Sequence, residues 1–128
     1  MSRQRTKLAI LLWAATPERP QLCAAPFVHA ALAAALDCEV EVHFSGSAAR
    51  LLIAGEAERI FAANEGGKSI YAFMRDAAGM GVRFFVCSMA QQAHIKENEA
   101  YIAEYGGTAS ATDFVLRTLD PEWATLVF

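Results

Sequence analysis

Val82-Arg83-Phe84-Phe85-Val86-Cys87 is a short run in which every residue but Arg83 is apolar, with Gly81 before it and Ser88 after it. A brief β-branched and aromatic run opening on glycine reads as a strand. One that is apolar on both faces belongs in the interior of a parallel sheet. Upstream, Ile70, Phe73, Met74, Ala77 and Ala78 recur at the spacing of a single helical stripe, and Gly79 and Gly81 close it. Downstream, Ser88-Met89-Ala90-Gln91 has the spacing of a capping box. It opens a helical region expected to continue to about Tyr105, where Gly106-Gly107 stops it. Helix, buried strand and helix in succession are the repeating unit of an α/β domain.

Working outward, Lys7-Leu8-Ala9-Ile10-Leu11-Leu12-Trp13 is a second continuous apolar run and a second central strand. Pro20 to Leu36 is rich in Ala and Leu and reads as the first helix. Pro20 sits in its first turn, and Pro26 either kinks it or marks its true start. Glu39 to Phe44 alternates strictly, with Val40, Val42 and Phe44 on one face and Glu39, Glu41 and His43 on the other. That pattern predicts a half-exposed strand at a sheet edge. Ser45-Gly46-Ser47 ends it and caps a short helix through Leu51 and Leu52; a polar stretch then runs to Gly66-Gly67. Thr108–Ala111 is a weak strand candidate, and Thr112–Leu119 a helix with Phe114, Val115 and Leu119 inward. Trp123–Phe128 is a terminal strand. The expectation is a single domain over residues 1–128, a three-layer α/β/α fold. Its mostly parallel five-stranded sheet should have the flavodoxin-like order 2-1-3-4-5.

Composition narrows the function. The chain of 128 residues is 55% hydrophobic, more than one small core absorbs, so a homo-oligomer is expected. A net charge of −3 argues against nucleic acid as a partner, and Arg3, Arg5 and Lys7 read as a solvated leader. No apolar run is long enough to span a membrane. Cys23, Cys38 and Cys87 form no CxxC pair or regular framework, which points to reduced thiols in the cytoplasm rather than a disulfide scaffold or zinc site.

In an open parallel sheet, reactive groups gather beyond the carboxyl ends of the strands. Cys87 is the one strong nucleophile there. It precedes a helix N-terminus, whose free N–H groups favour a thiolate. Ser88 either caps that helix or donates to the sulfur, and capping is the preferred role. His94, two turns on, faces the thiol only if the helix breaks early, and is otherwise a surface residue. Trp13 either walls a pocket above the sheet or packs in the core, the latter preferred. Cys23 and Cys38 read as packing residues.

Gly81-Val82-Arg83-Phe84-Phe85-Val86-Cys87-Ser88-Met89-Ala90 resembles the DsrE/DsrF-like sulfur-relay proteins. So do Phe44-Ser45-Gly46-Ser47-Ala48-Ala49-Arg50-Leu51-Leu52 and the closing stretch Thr112–Phe128. The resemblance implies a sulfur carrier or sulfurtransferase-like protein that needs no cofactor, with sulfane sulfur held as a persulfide on Cys87. It also implies trimers or hexamers, and donor and acceptor proteins as partners. The rival reading is a non-catalytic oligomeric module of the same fold, binding a small molecule or a peptide at the strand ends.

Other motifs fall away. Gly67-Lys68-Ser69 imitates the end of a phosphate loop, but the earlier glycine is replaced by Ala62 and no strand leads in. Trp13-Ala14-Ala15-Thr16-Pro17 has no glycine to admit a pyrophosphate. Glu39, Glu41 and His43 read as the wet face of an exposed strand, not as metal ligands.

Overall fold

The computed structural model describes residues 6–63 and 67–128; Arg3, Arg5 and Gly66 lie outside them. The strands are β1 (Lys7–Leu12), β2 (Glu39–Phe44), β3 (Arg83–Cys87), β4 (Tyr105–Ala109) and β5 (Trp123–Val127), and the helices α1 (Ala24–Ala35), α2 (Ile70–Gly79), α3 (Ser88–His94) and α4 (Ala111–Leu119). All strand pairs are parallel, in the order β4-β3-β2-β1-β5. Among the described residues no helix is long and apolar enough to cross a membrane.

The class is the expected one, a flavodoxin-like α/β domain with five parallel strands and helices on both faces. The order 2-1-3-4-5 is not. β2 lies between β1 and β3, in the middle of the sheet, and Glu41 and His43 are each only 3% exposed. The alternation of β2 is real, but its polar side is charge-paired rather than wet. Arg83 on β3 and Arg117 on α4 both bond to Glu41.

From β1 to β4 the chain steps across the sheet in one direction, then returns past β1 for β5. Right-handed crossovers place the forward connections on one face and the returning one on the other. Accordingly α1 and α2 pack together over Leu8, Ile10, Val40, Val42 and Phe84. There Phe27 of α1 meets Phe44 and Phe84, with ring centroids 5.9 and 5.8 Å away. α4 alone crosses the opposite face, packing on β1 and β5. Its Phe114 covers His43, whereas Val115 and Leu119, expected inward, are exposed.

Local signals fared unevenly. Pro20 opens a 3₁₀ turn, and Pro26 lies in the first turn of α1, marking its start rather than a kink. Ser69 caps α2 through Ala72 N–H, and Ser110 with Asp113 forms a capping box on α4. The short helix after β2 is a 3₁₀ segment, Gly46–Leu52, with no side-chain cap: Ser45 donates instead to the Leu12 carbonyl. The helix expected to reach Tyr105 ends at His94, and Gly106-Gly107 lies inside β4 rather than stopping a helix. A Cβ on Gly106 would stand 2.7 Å from the Phe84 carbonyl oxygen. Glycine there lets β4 come close to β3. Gly107, at φ +124°, takes up the irregular register between the two strands.

Gly106→Ala should therefore destabilise the fold by about 2 kcal/mol, read as a lowered urea midpoint. Burial alone would raise the Glu41 carboxyl, but hydrogen bonds from His43 and Arg117, with the Arg117 charge, hold it at about 2. A depressed carboxyl stabilises the fold above its unfolded value of about 4.3 and loses that contribution as pH falls toward the folded value. Unfolding free energy should thus decline between about pH 4.5 and 2. Glu41→Gln should flatten that decline and cost about 2 kcal/mol at neutral pH, measured by denaturation across pH.

Candidate functional site

Successive connections leave neighbouring strands for opposite faces at one place, the carboxyl ends of β3 and β4. After β3 the chain enters α3, whose Ala90 joins the core on the α1–α2 side; after β4 it enters α4 on the other. Crevices form at such a switch point because the loops diverge. Cys87 is the last residue of β3 and the cap residue of α3, with a free, half-buried thiol.

Two hollows meet at Cys87. One, of about 270 Å³, lies toward α4 and is walled by Leu11, Trp13, His43, Ser45 and Phe114. The other, of about 360 Å³, lies toward α3, between Trp13, Ser45, Met89 and His94. Trp13 is not a core residue. It is 72% exposed and forms a wall common to both hollows, because β1 ends one residue earlier and turns it out over the sheet edge. His94 is the last residue of α3, so the early end of that helix brings it to the hollow that holds Cys87. Arg50 fixes that end by donating to the His94 carbonyl at 3.0 Å.

Ser88 does not cap α3. It is the first helical residue, the cap position belongs to Cys87, and no side-chain cap bond forms there. The Gln91 amide, instead of reaching back, donates to the Tyr101 hydroxyl at 2.8 Å. Ser88 lines neither hollow. Helix α3 has only seven residues, so any dipole effect on the sulfur is short-ranged. The other thiols stand apart. Cys23 is buried, points at the carbonyls of Thr16 and Arg19, and is pushed up to about 11 by burial and by the charge of Glu18. Cys38 is partly buried just before β2, at the amino-terminal end of the sheet.

A charged cluster beside these hollows escaped the sequence reading. Glu41 accepts from Arg117 Nε and Nη2, both at 3.1 Å, from Arg83 Nη2 at 3.2 Å and from His43 Nε2 at 3.0 Å. Arg83 also donates to Glu39 at 2.6 Å. The His43 ring lies between Phe85 and Phe114, with centroids 5.8 and 5.4 Å away. The cluster borders an open hollow of about 210 Å³ also lined by Phe85, Thr108, Ala109 and Asp113. Arg83, the one charge in an otherwise apolar strand, was the available signal: from the start of β3 it reaches Glu39 and Glu41 on the neighbouring strand. Among the described residues no group of three or more His, Cys, Asp or Glu side chains is arranged to hold a metal ion.

No curated protein sequence matches the chain. The crystal structure of the ychN protein from E. coli matches it with a TM-score of 0.66 over 98% of this chain and 100% of that one, at 14% identity. That is a likeness of fold. The model of the DsrE/DsrF-like family matches residues 7–126, from the first residue of β1 to the penultimate residue of β5. The chain belongs to the DsrE/DsrF-like family.

Proposed function

We propose that this protein is a cytoplasmic sulfur carrier that holds sulfane sulfur as a persulfide on Cys87. The observation that carries the reading is the position of that thiol: half-buried at the strand-end switch point, with an apolar hollow on either side. Cys87 thiolate attacks the outer sulfur of a donor persulfide, the donor's S–S bond breaks, and the donor leaves as a thiolate. An acceptor thiolate then attacks the outer sulfur on Cys87 and releases Cys87 as thiolate. Each step exchanges one S–S bond for another without net oxidation and needs no cofactor. The walls of Leu11, Trp13 and Phe114 limit access of small reductants to the bound sulfur. Cys23, neutral at physiological pH, is a poor competitor for the donor.

The working form is a homo-oligomer, a trimer or hexamer. Support comes from α4, whose Val115, Leu116 and Leu119 are exposed beside Leu126 and Val127 of the edge strand β5. Apolar residues gathered on one side of a small domain are a subunit contact surface.

Incubation with a persulfide donor should add one sulfur mass to the Cys87 peptide, and Cys87→Ser should abolish the gain while leaving assembly unchanged. Sulfur found on Cys23 or Cys38, or a Ser variant that still accepts it, would remove the carrier reading. Alkylation of Cys87 that is absent or no faster than that of the other thiols, with no sulfur uptake, would favour the non-catalytic module instead. Light scattering should give a mass well above the 13.9 kDa of one chain, and Leu116→Asp with Leu119→Asp should reduce it to that value. A monomeric wild type across micromolar concentrations would count against assembly.

A further inference from the structure

Of the side chains lining the hollow between Cys87 and α4, only Cys87 and His43 are titratable. They belong to adjacent parallel strands. The register pairs His43 with Phe85, so His43 and Cys87 stand diagonally on the same face of the sheet. His43 is nine-tenths or more buried, yet only one of its nitrogens has a partner: Nε2, 3.0 Å from Glu41 Oε1. Glu41 carries a charge stabilised by Arg117 and Arg83, and an ionised carboxylate only accepts hydrogen bonds. The shared proton therefore sits on Nε2, and in the neutral ring Nδ1 is left as an acceptor. Among the described residues no fully buried side-chain nitrogen or oxygen lacks a partner. Nδ1 is thus not sealed in the core; His43 lines two hollows, one shared with Cys87 and one bordered by Asp113.

We propose that His43, oriented by Glu41 and sharing a hollow with Cys87, is the proton acceptor for the Cys87 thiol. Glu41, Arg117 and Arg83 act as positioning residues behind it. The inference rests on the carrier reading for its chemistry. Nδ1 takes the Cys87 proton, leaving the thiolate that attacks the donor's outer sulfur. The donor S–S bond breaks, and the departing thiolate takes the same proton from the imidazolium. Thiol and donor persulfide become Cys87 persulfide and donor thiol, with His43 restored.

Titratable and charged groups reach the ring from three elements. On its own strand the imidazole faces Glu41, from β3 Arg83 and Cys87, and from α4 Asp113 and Arg117. On β1 its register partner is the uncharged Leu11. Phe85 and Phe114 hold the ring from either side, fixing its direction. Glu41 lies 3.0 Å from Nε2, so a proton taken at Nδ1 would have a carboxylate at the ring's other nitrogen.

The test reads alkylation of Cys87 by iodoacetamide, peptide by peptide, between about pH 6 and 9. His43→Gln retains an N–H for Glu41 but cannot take a proton. It should slow Cys87 alkylation at about pH 6.5 roughly tenfold and approach the wild-type rate at the alkaline end. A folded variant with the wild-type pH profile would overturn the inference. If the variant does not fold, the wild type decides: carboxamidomethylation of Cys87 should move the midpoint of the His43 ring titration seen by NMR, and an unmoved midpoint overturns it equally. Sulfur uptake is measured separately. An unchanged alkylation profile removes His43 and leaves the carrier standing. A His43-dependent profile without sulfur uptake removes the carrier and leaves the pair.

Discussion

The carboxylate of Glu41, buried at the centre of a parallel sheet, constrains the rest of this molecule. An ionised group in that position is tolerated only with its acceptor sites filled, and three side chains from three elements fill them: Arg117 from α4, Arg83 from β3 and His43 from β2 itself. The bidentate Arg117 contact fixes α4 across β2 in one orientation, the geometric specificity that a guanidinium fork supplies. With α4 placed, Phe114 covers His43 and the remaining apolar side of the helix is left facing outward. One buried charge thus ties together the helix, the wall of the hollow and the exposed apolar side of α4.

The two faces of the sheet consequently do different work. The α1–α2 face is a dry core of interlocking aromatic and aliphatic side chains, sealed by Phe27, Phe44 and Phe84. The α4 face is thinly covered, mixes charge with apolar surface, and contains the hollow that Cys87 and His43 both line. This division follows from the winding of the chain: three forward steps across the sheet place their connections together, and the single return step places one helix opposite. Cys87, the last residue of β3, lies where the two faces meet, its thiol half-buried.

The strand ends also show how a site is assembled from residues without individual distinction. Trp13, Ser45 and Cys87 are the first residues past β1, the first past β2 and the last of β3, so the parallel register brings them side by side. Arg50 secures the 3₁₀ segment to the end of α3 and to Glu56 and Glu99, at 2.7 and 2.6 Å. That network holds His94 beside the second hollow.

The apolar runs Lys7–Trp13 and Val82–Cys87, the stripe from Ile70 to Ala78 and the turn glycines were enough to specify an α/β domain with parallel strands. Burial on two faces and helical periodicity are local properties, written in consecutive residues. Cys87 was legible for the same reason: the end of a buried strand can be read directly. The position of β2 could not be read that way. Alternating polarity reports which side of a strand carries charge, not whether that side meets water or an arginine seventy-six positions away. The early end of α3, the outward Trp13 and the adaptation of Gly106 to Phe84 likewise depend on neighbours distant in the chain. Glu41 and His43 became visible as a cluster only when tertiary packing buried them, because a buried charge acquires its meaning from the partners that compensate it.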